Sequence, residues 1–245
     1  MYEYVGPNRR DLKICAPHFR YSSKSKEISL SSLPIFSIDP GVTTGWSLLI
    51  LRRFINHKNI FSYPFDIILK NKIIWEHGQI NTFNFESEAT YHLSRMIENF
   101  PGAAIVTEDF ILRSERKEKT RELLSPVRIN AKLETLLWMQ GRRMFLQQPS
   151  LAKTTITDER LKLWGCYTSD GGLVHARDAD RHALLFVRRC MGLQGAGLRT
   201  AAWPYIFGEK STSTSGCDGD GNSDNDGDSN SDSNIYSNSN NKRLS

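Results

Sequence analysis

Sulfur chemistry is nearly absent from this sequence. Its four cysteines (Cys15, Cys166, Cys190 and Cys217) are scattered, with no Cys-x-x-Cys pair, which argues against a zinc site and against a disulfide framework. No apolar run approaches the ~20 residues that a membrane-spanning helix needs. The opening MYEYVGPNRRDLK is polar from its first residues, unlike a signal peptide. These absences predict a protein of a reducing, cytoplasmic compartment with no membrane partner. Apolar residues as such are not lacking: 39% of the 245 residues are hydrophobic, enough for one substantial core.

Charge is unevenly spread. Residues 209–245 carry seven acids and three bases, a net of −4, so the total of +5 leaves +9 on residues 1–208. A basic body with an acidic tail fits a polyanionic partner, and a merely solvated basic surface has the same composition. The tail is rich in Ser, Asn, Asp and Gly and has too few apolar residues to order itself. Its DGDGNSDNDGD only superficially resembles a calcium loop, because Ser233 stands where the twelfth-position Glu belongs. The expected organisation is a flexible basic arm over 1–32, one domain over 33–208 and a disordered acidic tail over 209–245.

Within the domain, IFSIDPGVTTGWSLLI (35–50) reads as two strands around a Pro40-Gly41 turn, and 51–71 as an elongated hairpin or insertion. KIIWEHGQI (72–80) is a third strand, in which Gly78 suggests a bulge or a close backbone approach. Ala89, Leu93, Met96 and Ile97 mark a helix over 86–100. A fourth strand spans 102–110, an amphipathic helix 129–143, a short fifth strand follows it, and a helix capped by Thr157 stops at Gly165. A final helix over 178–192 turns Ala179, Ala183, Phe186, Val187 and Cys190 inward. Three sequential strands followed by strands alternating with helices predict an α/β fold, a mixed five-stranded sheet with helices on its faces.

Acids fall at informative points in that order. Asp39 interrupts an apolar run at the end of strand one, Glu108 ends strand four, and Asp178 begins the final helix. Each has an ordinary explanation: a turn residue before Pro-Gly, a solvated strand end, a helix N-cap. Taken together, three carboxylates at strand ends and a helix start can meet at one sheet edge. There, hard oxygen donors suit Mg²⁺ or Mn²⁺ and phosphodiester hydrolysis. His175, three residues before Asp178, is a candidate ligand or proton carrier. His182, four residues after it, shares its helix face or is a half-buried helix histidine.

In order, SIDPGVTTGWSLL, IVTEDFILR and HARDADRHALLFVRR resemble the RuvC-type Holliday-junction resolvases of the ribonuclease-H-like superfamily, and most of all their bacteriophage-encoded branch. LSPVRINAKLE and QQPSLAK…ITDERLK add to the likeness, which covers roughly residues 33–192. The resemblance implies a ribonuclease-H-like sheet, with three antiparallel strands plus parallel ones, and a homodimer that cuts four-way junctions in the cytoplasm, or in the host's if the source is viral. It implies Asp39, Glu108 and Asp178 as ligands of two Mg²⁺ or Mn²⁺ ions, and His175 at a position held by His or Asp. It also makes the 129–143 helix, with Trp138 and Met139, a dimer element or else an internal core helix. Another ribonuclease-H-like nuclease, acting on forks, flaps or hybrids, and a non-cleaving junction-binding protein are the alternatives. Candidate DNA contacts are Arg113, Arg116, Lys117, Arg128, Lys132 and Lys153, although the interleaved Glu115, Glu118 and Glu122 equally fit a solvated, salt-bridged helix.

Overall fold

Every residue of strand β1 (Ser32–Asp39) is buried, because the strand lies in the middle of the sheet with both its faces covered. The structure, a computed structural model, describes residues 32–81, 85–110, 121–169 and 171–208. The chain divides into two units, Met1–Glu209 and Lys210–Ser245. The expected acidic tail and all of the expected arm but Ser32 lie outside the described residues.

Strand β2 (Thr43–Arg52) turns back along β1 after the Pro40-Gly41 turn. A small hairpin follows, β3 (Phe54–Ile55) and β4 (Lys58–Asn59), whose two turn residues Asn56 and His57 both have positive φ, as a two-residue hairpin turn requires. Helix α1 (Phe65–Lys70) completes the segment expected as a hairpin or insertion. Ile60, Phe61, Ile68 and Leu69 anchor it in the core. Strand β5 (Lys72–Asn81) then pairs antiparallel with β2. Gly78 faces the Trp46 ring, which a Cβ there would approach to 2.9 Å. The close approach is therefore real, while the register shift lies elsewhere, between Ile50 and Leu51.

Helix α2 (Glu86–Glu98) leads to β6 (Ala104–Glu108), parallel to β1. Helix α3 (Arg121–Met139) begins earlier than its apolar period indicated and carries Pro126 inside it. Strand β7 (Met144–Gln147) pairs parallel with β6. Short helices α4 (Pro149–Thr155) and α5 (Asp158–Leu163) follow. Thr157 accepts from the Arg160 amide, as expected of the cap, and Gly165 closes α5 with φ +64°. The long helix α6 (Val174–Met191) and two short ones, α7 (Gly195–Ala202) and α8 (Pro204–Phe207), end the described chain.

The sheet order is β5-β2-β1-β6-β7, with β2 antiparallel to both its neighbours and the last two strands parallel to β1. This is the mixed five-stranded sheet that the sequence predicts. Side chains alternate between its two faces. Phe36, Ile38, Trp46 and Ile105 enter the core beneath α2 and α3. Leu33, Ile35, Leu49 and Val106 enter the core beneath α6, with Ala183, Leu184, Phe186 and Val187. Asp39 and Glu108 share the parity of the second set, so both belong to the α6 face.

Candidate active site

Register brings five residues into one row across the sheet. Gln79 pairs with Gly45, Gly45 with Asp39, and Glu108 with Gln147, while Ile38 pairing with Thr107 sets Asp39 beside Glu108. In strand order the row reads Gln79, Gly45, Asp39, Glu108, Gln147. Neighbouring strands lie ~4.8 Å apart, so Asp39 and Glu108 are adjacent although 69 positions separate them in sequence. The Glu108 backbone is fixed from the other face: Asn130 on α3 donates to its carbonyl at 2.9 Å and accepts from Thr107 Oγ1.

Helix α6 lies over this row. It begins at Val174 rather than Asp178, so Asp178 is a second-turn residue and not an N-cap. His175, Asp178 and His182, spaced i, i+3 and i+7, are therefore on one helix face. His175 Nδ1 is 2.7 Å from Asp39 Oδ2. His182, 1% exposed, sits between Glu108 Oε2 at 3.3 Å and Gln147 Oε1 at 3.1 Å. The Gln147 Nε2 is buried without a partner. Turning that amide over lets it donate to His182 Nδ1, which leaves the imidazole Nε2–H to donate to Glu108. Ser37 Oγ donates to the Ala179 carbonyl at 2.7 Å, tying the middle of the helix to β1.

Charge is concentrated here. Burial raises the Asp39 carboxyl above the usual aspartate range; the His175 hydrogen bond opposes this, and the negative charges of Glu108 and Asp178 add to it. The bond to Asp39 raises His175 above its ordinary value against partial desolvation. Asp178 is served by cations: Arg181, which also binds Asp158 and the Ile156 carbonyl, and Lys153, whose Nζ is 3.2 Å from Oδ2. On the far side of α6, Asp180 is wholly buried and accepts from Trp75 Nε1 at 2.8 Å and His77 Nδ1 at 2.7 Å.

Among the described residues, no three His, Cys, Asp or Glu side chains close on a point where they could hold a metal ion. The donor chemistry nonetheless suits a hard divalent cation. Asp39 and Glu108 present carboxylates from adjacent strands, and Asp39 carries an unfavourable like-charge interaction with Glu108 and Asp178 that a cation relieves.

Of the expected site residues, the structure brings Asp39, Glu108, His175 and Asp178 to one edge. Lys153 joins them through Asp178. Arg128 and Lys132 lie along α3 and engage α2 instead, at Glu86 (3.5 Å) and Ser87 (2.8 Å). Arg113, Arg116 and Lys117 lie outside the described residues. Sequence reasoning missed Gln79, His77, Arg181 and Gln147. For His77 and Gln79 the signal was a period-two polar face on a sheet strand, Trp75-x-His77-x-Gln79, which has to meet something polar above it.

No protein-family model matches this sequence, and no curated protein sequence does. Among solved structures, T. thermophilus RuvC in complex with a Holliday junction substrate is similar at a TM-score of 0.43 and 11% identity, covering 64% of this chain and 94% of that one. A structure of Thermus thermophilus RuvC is similar at a TM-score of 0.42 and 14% identity, covering 64% and 95%. Strand order and pairing, rather than these two likenesses, define the fold.

Proposed function

We propose that this chain is a metal-dependent endonuclease acting on branched DNA, with the four-way junction as its substrate. One observation carries the reading: two carboxylates from adjacent strands, Asp39 and Glu108, stand side by side in one row, with a third, Asp178, on the helix above. The basic body, +9 over residues 1–208, supports a polyanionic substrate held mainly through phosphates.

In this reading Asp39, Glu108 and Asp178 hold one or two Mg²⁺ or Mn²⁺ ions, which, when bound, activate a water and stabilise the leaving 3′-oxygen. The protein's own groups do the rest. His175 has Nδ1 on Asp39, which leaves Nε2 to exchange a proton with the reacting phosphodiester or its water. Glu108 is oriented twice, by His182 at its carboxylate and by Asn130 at its carbonyl. Arg181 and Lys153 fix Asp178, and Lys153, 56% exposed at its side chain, also offers a positive charge to an incoming phosphate. Arg113, Arg116 and Lys117, outside the described residues, and Arg128 and Lys132 on α3 are the other candidate phosphate contacts. Cutting two opposed strands calls for two copies of the site, and hence a homodimer. The outer side of α3, where Trp138 and Met139 are 77% and 72% exposed, is the surface assigned to it. No described helix is long and apolar enough to cross a membrane, in keeping with an enzyme of the cytoplasm.

The test is incubation of the full chain with a synthetic four-way junction, a fork and a linear duplex in Mg²⁺, beside Asp39→Asn. Paired symmetric nicks on the junction, lost in the variant, are expected. Preferential cutting of the fork would shift the substrate, and tight junction binding with no nick in any metal would overturn the enzymatic reading.

A further inference from the structure

Helix α6 carries the site's histidines, yet its first turn has no cap of its own. The residue at its N-cap, Leu173, makes no side-chain hydrogen bond, although the first amides of any helix need acceptors. The acceptor comes from the sheet. Gln79 Oε1 takes the His175 amide at 2.7 Å and the Ala176 amide at 3.3 Å, while its Nε2 donates to the Gly172 carbonyl just before the helix. These are the second and third amides of the helix, the ones a local Ser, Thr or Asp cap would serve. Gln79 therefore caps the helix from a strand 96 positions away.

The residue directly opposite Gln79 on β2 is Gly45. A Cβ built there would lie 1.9 Å from the His175 carbonyl oxygen and 2.7 Å from the Ala176 nitrogen, closer than any side chain tolerates. Gly45 thus lets the helix backbone rest against the sheet at the place where Gln79 grips it. The next residue in the same row is Asp39, the partner of the His175 imidazole. Backbone and side chain of His175 are held by successive members of one row.

We propose that Gly45 and Gln79 form a seat for the first turn of α6, and that Gln79 is a positioning residue that sets His175 against Asp39. As far as it concerns catalysis, this rests on the nuclease reading; as far as it concerns the helix, it does not. Gly45 provides the close approach, Gln79 the two amide acceptors, and the Gly172 bond the entry of the chain. Gln79 touches no reacting atom and acts through His175.

The decisive comparison is Gln79→Leu against Gln79→Glu. Glutamate keeps an acceptor for the His175 and Ala176 amides and places a negative charge at a helix N-terminus, where it is favourable, while giving up the donor to the Gly172 carbonyl; leucine keeps the bulk and removes all of these hydrogen bonds. Amide hydrogen exchange at His175 and Ala176 is the readout independent of activity. Gln79→Leu is expected to speed it about 5- to 30-fold relative to the middle of α6, and Gln79→Glu to keep it near wild type. On a DNA substrate, Gln79→Leu is expected to lower kcat with KM unchanged, and Gln79→Glu to restore most of it. Gly45→Ala should reproduce the exchange signature; if it does not fold, the Gln79 pair decides. Unchanged exchange in Gln79→Leu, or Gln79→Glu as impaired as Gln79→Leu, overturns the seat. A wild type that cuts no DNA while Gln79→Leu still loosens His175 overturns the nuclease reading and leaves the seat standing.

Discussion

Asp178 and Asp180 stand two residues apart on α6, both buried, and their surroundings differ in kind. Asp178 faces the acid row and is paired with two cationic side chains, the buried and anchored Arg181 and the exposed Lys153. Asp180, with no exposure at all, points the other way, into β5, and is held by an indole N–H and a partly buried imidazole. A helix turns about 100° per residue, so a two-residue step crosses from one side to the other. The two carboxylates have the same chemistry and the same helix, and differ in what surrounds them: one meets charged side chains beside the acid row, the other is a strut between helix and sheet held by donors of β5. Position relative to the sheet row is what distinguishes the acid assigned to the proposed site from the structural one.

Substitutions that separate the two sides test that difference. The largest effect is expected at the row itself. Asp39→Asn should lower DNA cleavage about a hundredfold or more while leaving the thermal midpoint unchanged or slightly raised, since it removes a buried charge already disfavoured by burial and by its neighbours. A gel-based cleavage assay beside a thermal melt measures both. Asp180→Ala should do the reverse. It strands the Trp75 and His77 donors, at about 1–3 kcal/mol for each that stays buried, and urea unfolding reads the loss. If Asp180→Ala unfolded at the wild-type midpoint, the strut would not exist.

A pH dependence comes next. The Asp180 hydrogen bond raises the His77 pKa against partial desolvation. A group with a raised folded pKa contributes stability that is complete below its unfolded value, ~6.5, and is lost as pH rises through the folded value. Urea midpoints followed from pH 5.5 to 9 should therefore fall more steeply in wild type than in His77→Gln, the gap closing toward high pH; parallel curves would contradict it. The smallest effect is expected at Lys153→Met. Its side chain is 56% exposed, so stability should change by no more than ~0.5 kcal/mol, and a larger loss would make Lys153 a structural residue.

Much of this was legible in the sequence because it is carried by local pattern. The five strands, their mixed directions and the three acids at strand ends and on α6 follow from apolar runs, turn residues and spacing. The start of α6 did not, and the reason is physical: its cap is Gln79, on another strand, so no residue before Val174 signals a helix start. The expectation of Asp178 as the first helical residue followed from taking an acid for the cap. The segment 193–208, which forms α7 and α8, has no strong apolar period and was not legible. The partners of Arg128 and Lys132 depend on where α2 packs on α3, which no one-dimensional pattern states. Asp180 and His77 were each visible, but their pairing needs the β5 face and the α6 face to be known together.

The central claim is that the Asp39 row, and not the Asp180 strut, binds the divalent cation. A Mn²⁺ titration followed by water-proton relaxation, on wild type, Asp39→Asn, Asp178→Asn and Asp180→Asn, tests it most directly. Saturable binding is expected in wild type, weakened at least about tenfold in the first two variants and kept in Asp180→Asn. No saturable binding in wild type, or equal binding in all four proteins, would contradict it.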